Sequence, residues 1–203
     1  MVRVWDPAVR IGHWLLVTLF AAAYFTGEGD ADLHVYAGYG VLGVVAFRLL
    51  WGFAGTRYAR FAEFLRGPRA TLGYLKGFLA GRPAHYLGHN PAGGWMIVLL
   101  LAVLLGTVWT GLETYGAQGY GPLAQGAPAP VVAQASEAGP KRVKRRRSAN
   151  ERFWKDLHEG FANATLILVL LHVAGAVAAS VVHRENLVKA MFTGDKAGEG
   201  RMP

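Results

Sequence analysis

Cysteine occurs nowhere in the 203 residues. Its absence excludes disulfides, thiolate-held iron–sulfur clusters and the Cys-x-x-Cys-His attachment of a covalently bound haem. Acidic residues are scarce as well: 13 Asp and Glu stand against 21 Lys and Arg, a formal net charge of +8. Charge of either sign is missing altogether from residues 11–27, 33–47, 83–112 and 160–183. Runs of that length, with 53% hydrophobic residues and a mean hydropathy of +0.25, argue against an ordinary soluble fold.

What is present is membrane-spanning length. Two of the runs exceed the roughly 20 residues that cross about 30 Å of hydrocarbon. The other two reach it once Arg10 and Arg48 are taken as terminal arginines whose heads snorkel to the interface. Four spans follow, over about 8–27, 33–53, 90–112 and 158–183, in one domain of 203 residues whose natural surroundings are a lipid bilayer. Ala21-Ala22-Ala23 imitates a leader-cleavage site, but cleavage there would discard His13, so the first run is read as a span.

The connection between the first two spans carries Glu28, Asp30 and Asp32 and no Lys or Arg. Residues 54–89 carry Arg57, Arg60, Arg66, Arg69, Lys76 and Arg82 against Glu63 alone. Positive charge concentrates on the cytoplasmic side, so loop 54–89 and both termini, with Arg3, Arg10, Arg184, Lys189, Lys196 and Arg201, are expected there. The setting implied is a multi-pass membrane protein with both termini on the cytoplasmic side. Within the loop, Phe61, Phe64 and Leu65, then Leu72, Leu75, Phe78 and Leu79, recur as on a helix face and predict amphipathic segments in the interface plane. Asn90-Pro91 has the form of a helix cap followed by a first-turn proline.

Residues 113–157 then form an extracytoplasmic loop. It contains an Ala-, Gly- and Pro-rich linker and a basic run, Lys141, Arg142 and Lys144 to Arg147, within an insertion over 116–147. The run is either a solvated tract or a docking patch for an acidic partner. Nothing in the pattern points to nucleic acid, and an oligomer is left open.

Seven histidines occur, and their depths carry the chemistry. His13 lies near the cytoplasmic start of the first span and His34 near the outer start of the second. His158 opens the fourth span, and His172 follows it by 14 residues, about 21 Å and nearly four turns, on the same face. His34 and His158 therefore share the outer depth, and His13 and His172 the inner one. Imidazoles inside a bundle are costly without a partner, and a haem iron that takes one from each of two facing helices supplies it. Small residues one turn on, Gly38 after His34, Ala162 after His158 and Gly175 after His172, leave clearance for a flat macrocycle.

Arg48 lies 14 residues after His34, at the inner depth, where it serves either as a propionate partner or as a boundary arginine. Gly38, Gly40 and Gly43 spell a dinucleotide fingerprint, but inside an apolar helix with no preceding strand they read as packing. His85 and His89, four apart, permit a metal site if they share a helix face, though no carboxylate adjoins them in sequence. His183 reads as interfacial.

These same residues carry a resemblance. Trp5-Asp6-Pro7, Arg10 and His13-Trp14, Leu33 to Gly38, Phe47 to Gly52, Gly88 to Pro91, Leu157-His158-Glu159, Leu171 to Gly175 and the tail Glu185 to Met191 resemble the bacterial cytochrome b561 and nickel–iron hydrogenase b-type cytochrome family, nearly end to end. The resemblance implies an all-α integral membrane protein, a four-transmembrane-helix bundle with two haem b groups stacked across the membrane. Helices one and four hold one haem and helices two and four the other.

It further implies electron exchange between quinone and a periplasmic partner, such as a c-type cytochrome or another redox subunit. The chain itself then makes or breaks no substrate bond. A hydrogenase-like anchor subunit and a superoxide-oxidising cytochrome are the family's alternatives, and a haem-free metal or proton transporter is the alternative outside it. For quinone contacts the sequence offers His89, Arg48, Tyr58 and Phe61.

Overall fold

The computed structural model describes residues 2–82, 84–124 and 148–196. Among them are four long helices, each apolar and long enough to cross a membrane: α1 (Pro7–Thr26), α2 (Ala31–Ala54), α5 (Pro91–Ala117) and α6 (Ala149–Val182). Between α2 and α5 lie α3 (Phe61–Phe64) and α4 (Pro68–Leu79), and α7 (Leu187–Thr193) follows α6. A two-residue strand β1 (Val2–Arg3) pairs antiparallel with β2 (Asp195–Lys196). The protein is therefore an all-α four-helix membrane bundle, and its chain ends meet at one end of it. That end is called the near end below, and the opposite one the far end.

Polar side chains set the helix starts. Asp6 accepts from the Val9 amide at 2.8 Å ahead of Pro7, and Asp30 accepts from Leu33. Asn90 accepts from the Gly93 amide at 2.7 Å, with Pro91 in the first turn. Each satisfies an amide that the helix cannot. Ser148 and Glu151 form a reciprocal capping box, so α6 begins nine residues ahead of the expected fourth span. Its first turns, with Asn150, Glu151, Arg152, Lys155 and Asp156, are polar, and only the later part is apolar. At the other end of the same connection α5 runs on to Ala117, five residues past the expected 112. The basic run Lys141–Arg147 lies outside the described residues.

The core sits between α2 and α5, where Val41, Val45, Leu101 and Leu104 are buried against Leu16, Leu19, Phe20 and Ile97. Two pairwise packings complete the frame. α5 lies along α6, where a side chain on Gly106 would strike the Phe161 ring, and α1 lies along α2, where Gly40 meets Leu19. By contrast, α1 and α2 pack loosely against α6, although the Tyr24 hydroxyl of α1 donates to Asn163 Oδ1 of α6 at 2.9 Å, and α1 has no fully buried residue.

Close packing resumes at the near end. The amides of Val4 and Trp5 both donate to the Gly194 carbonyl, and Val4, Trp5 and Ala190 form a second buried cluster. Gly194 has φ +89°, the left-handed conformation that glycine adopts without strain, and any side chain there would meet the Trp5 carbonyl.

Candidate functional site

The gap between α6 and the α1–α2 pair is bridged at two depths by imidazoles. At the far end the rings of His34 (α2) and His158 (α6) have centroids 5.9 Å apart. At the near end those of His13 (α1) and His172 (α6) are 6.5 Å apart. Two imidazoles on one metal, each bonded at about 2 Å, hold their centroids roughly 6 Å apart, so both separations suit a shared iron. Interplanar angles of 85° and 54° are compatible with this, because two rings that would share one metal can differ in rotation about the line joining them.

The far-end pair is oriented by the backbone. Nδ1 of His34 lies 2.8 Å from the Ala23 carbonyl, and Nδ1 of His158 lies 2.9 Å from the Thr107 carbonyl, with the Thr110 hydroxyl at 3.3 Å. A carbonyl only accepts, so each Nδ1 carries the proton and donates it, which leaves Nε2 with a free lone pair. This is how metal-binding histidines are usually braced. The Thr107 carbonyl also accepts from the Thr110 hydroxyl at 3.0 Å, while the Thr107 hydroxyl donates to the Val103 carbonyl and meets the Thr165 hydroxyl at 3.0 Å. Clearance exists where it is needed: a side chain on Gly38 would meet nothing within 4 Å, whereas one on Gly111 would press on the His158 ring at 3.0 Å.

The near-end pair is braced differently. Nδ1 of His13 is buried with no hydrogen-bond partner, and the same holds for Nε of Arg10, Nη1 of Arg48 and Nδ1 of His89. All four atoms lie toward one end of the bundle, on the opening turns of α1, the closing turns of α2 and the entry to α5. Arg48 sits over Phe61 and Phe64, its guanidinium carbon 5.0 and 6.0 Å from the ring centroids. His89 is held between Phe64 (4.7 Å) and Trp5 (4.4 Å). Burial, then the charges of Arg48 and Lys196 and the nearby His172, pushes the His89 pKa down to about 3, so its ring is neutral at ordinary pH.

Asp6 is the carboxylate closest to a counter-charge for Arg48, but its oxygens already accept from Val9, from Trp51 Nε1 at 3.1 Å and from the Thr56 hydroxyl. Burial raises its pKa, and these donors outweigh that and hold it below the usual carboxylate value. A buried guanidinium nitrogen without a partner fits an anionic ligand, such as a porphyrin carboxylate.

The helix face that would let His85 and His89 share a metal is not formed. No helix covers 85–89, so His85 and His89 share no helix face and serve separate neighbourhoods. His85 Nε2 meets Glu185 at 2.9 Å, so a carboxylate does adjoin it, supplied from 100 residues away. His183 lies 5.8 Å from the His85 ring and within 3.3 Å of the Tyr74 hydroxyl. Lys196 completes this group, bonding Glu185 at 3.2 Å and the Tyr86 carbonyl at 3.1 Å. Among the described residues no three His, Cys, Asp or Glu side chains are arranged to hold a metal ion. Tyr58 packs by the Val4–Trp5 cluster and Phe61 under Gly52.

The family model for prokaryotic cytochrome b561 matches residues 4–194. The chain belongs to the prokaryotic cytochrome b561 family. It is thus a multi-pass membrane b-type cytochrome, and haem b is the cofactor that membership implies. When bound, that group supplies one-electron chemistry at iron.

Among curated relatives, the cytochrome is 24% identical over 231 aligned residues to a probable Ni/Fe-hydrogenase B-type cytochrome subunit of Cupriavidus necator, covering 94% of this chain and 85% of that one. A subunit of the same description from Rhizobium leguminosarum is 24% identical over 229 residues, covering 98% and 90%. The probable Ni/Fe-hydrogenase 1 B-type cytochrome subunit of Escherichia coli K12 is 32% identical over 117 residues, covering 43% and 49%. No solved structure matches.

Proposed function

We propose that this cytochrome carries electrons across a bacterial cytoplasmic membrane through two haem b groups. His34 and His158 would hold the far-end haem, on the periplasmic side, and His13 and His172 the near-end haem, on the cytoplasmic side. The observation that carries the reading is the pair of imidazole couples, 5.9 and 6.5 Å between centroids, set into the loosely packed space between α6 and the α1–α2 pair. Arg48 and the clearance at Gly38 support it. The chain's contribution is ligation, spacing and dielectric. α6 fixes the two sites about 21 Å apart along its axis, while the Ala23 and Thr107 carbonyls fix the far-end tautomers.

The near-end group exchanges electrons with quinone or quinol, and the far-end group with a periplasmic redox partner such as a c-type cytochrome, for which Lys141–Arg147 is a docking candidate. The names of the relatives favour a second reading, in which the partner is the catalytic subunit of a hydrogenase-like enzyme and this chain its membrane anchor. Two experiments test the proposal. His34→Ala and His13→Ala, purified in detergent, should each retain one haem of two, and retention of both in either variant would refute the pairing. Copurification of a stoichiometric large subunit would select the anchor reading over the free-standing carrier.

A further inference from the structure

The two histidine pairs sit in unequal surroundings, and the inequality has a direction. Both far-end imidazoles donate Nδ1–H to a backbone carbonyl, at 2.8 and 2.9 Å. Such a bond moves electron density onto the ligating nitrogen and favours the more oxidised metal. Among the described residues neither near-end imidazole meets a comparable acceptor, and Nδ1 of His13 is buried and unpartnered.

Charge points the same way. Glu28, Asp30 and Asp32 cluster around the start of α2, and Asp30 takes the His34 amide on its carbonyl. Lys155 and Glu159, beside His158, pair with each other. At the near end Arg10 and Arg48 each keep a buried nitrogen without a partner, while Asp6 is occupied by Trp51, Thr56 and Val9. Lys196 is paired with Glu185. Arg10, three residues before His13 on α1, and Arg48 therefore outnumber the one carboxylate, Asp6, that stands with them. A fixed cation in a low-dielectric setting favours the form that has gained an electron.

His89 belongs to the same device. It shares the Phe64 ring with Arg48, its Nδ1 is buried and free, and Trp5 closes its other side at 4.4 Å. Together the two side chains present an unpartnered guanidinium nitrogen and an unpartnered imidazole nitrogen from different elements, as the carboxylates of a porphyrin require.

We infer that Arg48 and His89 set the near-end site at a higher reduction potential than the far-end site, so that electrons entering at the far end run downhill to the near end. Arg48 offsets the carboxylate charge that opposes reduction. His89, held between Phe64 and Trp5, supplies a hydrogen bond from its unpartnered Nδ1. At the far end the Ala23 and Thr107 carbonyls act in the opposite sense. The inference rests on the two-haem reading above.

The test is a potentiometric titration of the purified cytochrome followed on the reduced α band, with His34→Ala identifying which wave belongs to which site. Two one-electron waves are expected, and the wave that survives in His34→Ala should be the higher. Arg48→Gln should lower that wave by at least a tenfold change in its equilibrium constant, 59 mV for one electron, and leave the other within threefold. Arg48→Lys should recover part of the shift, and His89→Phe should lower the same wave by less than Arg48→Gln does. The reverse order of waves, or an Arg48→Gln protein in which both waves move together or neither moves, overturns the inference. Should Arg48→Gln fail to hold its near-end haem, the order measured with His34→Ala alone decides. A wild-type protein with fewer than two haems overturns the two-haem reading and this inference together, whereas two haems in reversed order overturn this inference alone.

Discussion

Gly111 offers the sharpest perturbation of the far-end site. A methyl group placed there by Gly111→Ala would lie 3.0 Å from Cε1 of His158 and 3.3 Å from its Nδ1, inside ordinary contact distance. The neighbouring backbone cannot yield, so the imidazole must shift by a few tenths of an ångström away from α5. That movement stretches its 2.9 Å bond to the Thr107 carbonyl. Loss of most of such a bond costs about 1 kcal/mol, and residual overpacking costs a further ~1 kcal/mol. The sum of about 2 kcal/mol weakens the hold on the ligand roughly thirtyfold.

Alanine is also a better helix former than glycine by about 1 kcal/mol, so α5 itself should not suffer. Gly160→Ala, two residues beyond His158 with nothing within 4 Å of the new methyl, is the control. Haem content at limiting haem supply, read from the reduced α band, should fall toward one per chain for Gly111→Ala and stay unchanged for Gly160→Ala. Equal content in the two variants would refute the reasoning.

Two further predictions concern the near end. Asp6→Ala removes a helix cap together with the acceptor for Trp51 and Thr56; about 1 kcal/mol for the cap and a further 1–2 for the side-chain bonds should appear as a lowered unfolding midpoint in denaturant, with Asp6→Asn recovering part of it. Burial raises the pKa of Glu185, but His85 and Lys196 outweigh that and hold it below the usual value. A depressed carboxylate contributes stability that is present above its unfolded value and lost as pH falls through the folded one. Proteolytic sensitivity of the segment after α6 should therefore rise on acidification below about 4.5, and Glu185→Gln should remove that pH dependence.

Much of this was legible from hydropathy and spacing. The charge-free runs mark the four spanning helices, Asn90-Pro91 marks the start of α5, and the 14-residue interval from His158 to His172 sets the two depths. The early start of α6 was missed because its first turns are polar, and hydropathy reports membrane depth rather than helix; the signal was there in Ser148 and Glu151, three apart. The surroundings of His89 could not be read, since Trp5 and Phe64 reach it from segments distant in the chain and nothing local announces a buried ring. The same applies to Glu185, whose partners His85 and Lys196 lie in a loop before α5 and in β2, and to Asp6, whose sequence shows a cap but not its bonds to Trp51 and Thr56. Contacts between remote segments are set by tertiary packing, which periodicity does not record.

The central claim is that four imidazoles on three helices hold two haem b groups. Its most direct measurement is the haem-to-protein ratio of the detergent-purified chain, produced with ample haem and read with oxidised and reduced spectra. Two haems per chain with sharp reduced α and Soret bands are predicted. A folded protein with no visible absorption, or with one haem that survives both His34→Ala and His13→Ala, would contradict the account.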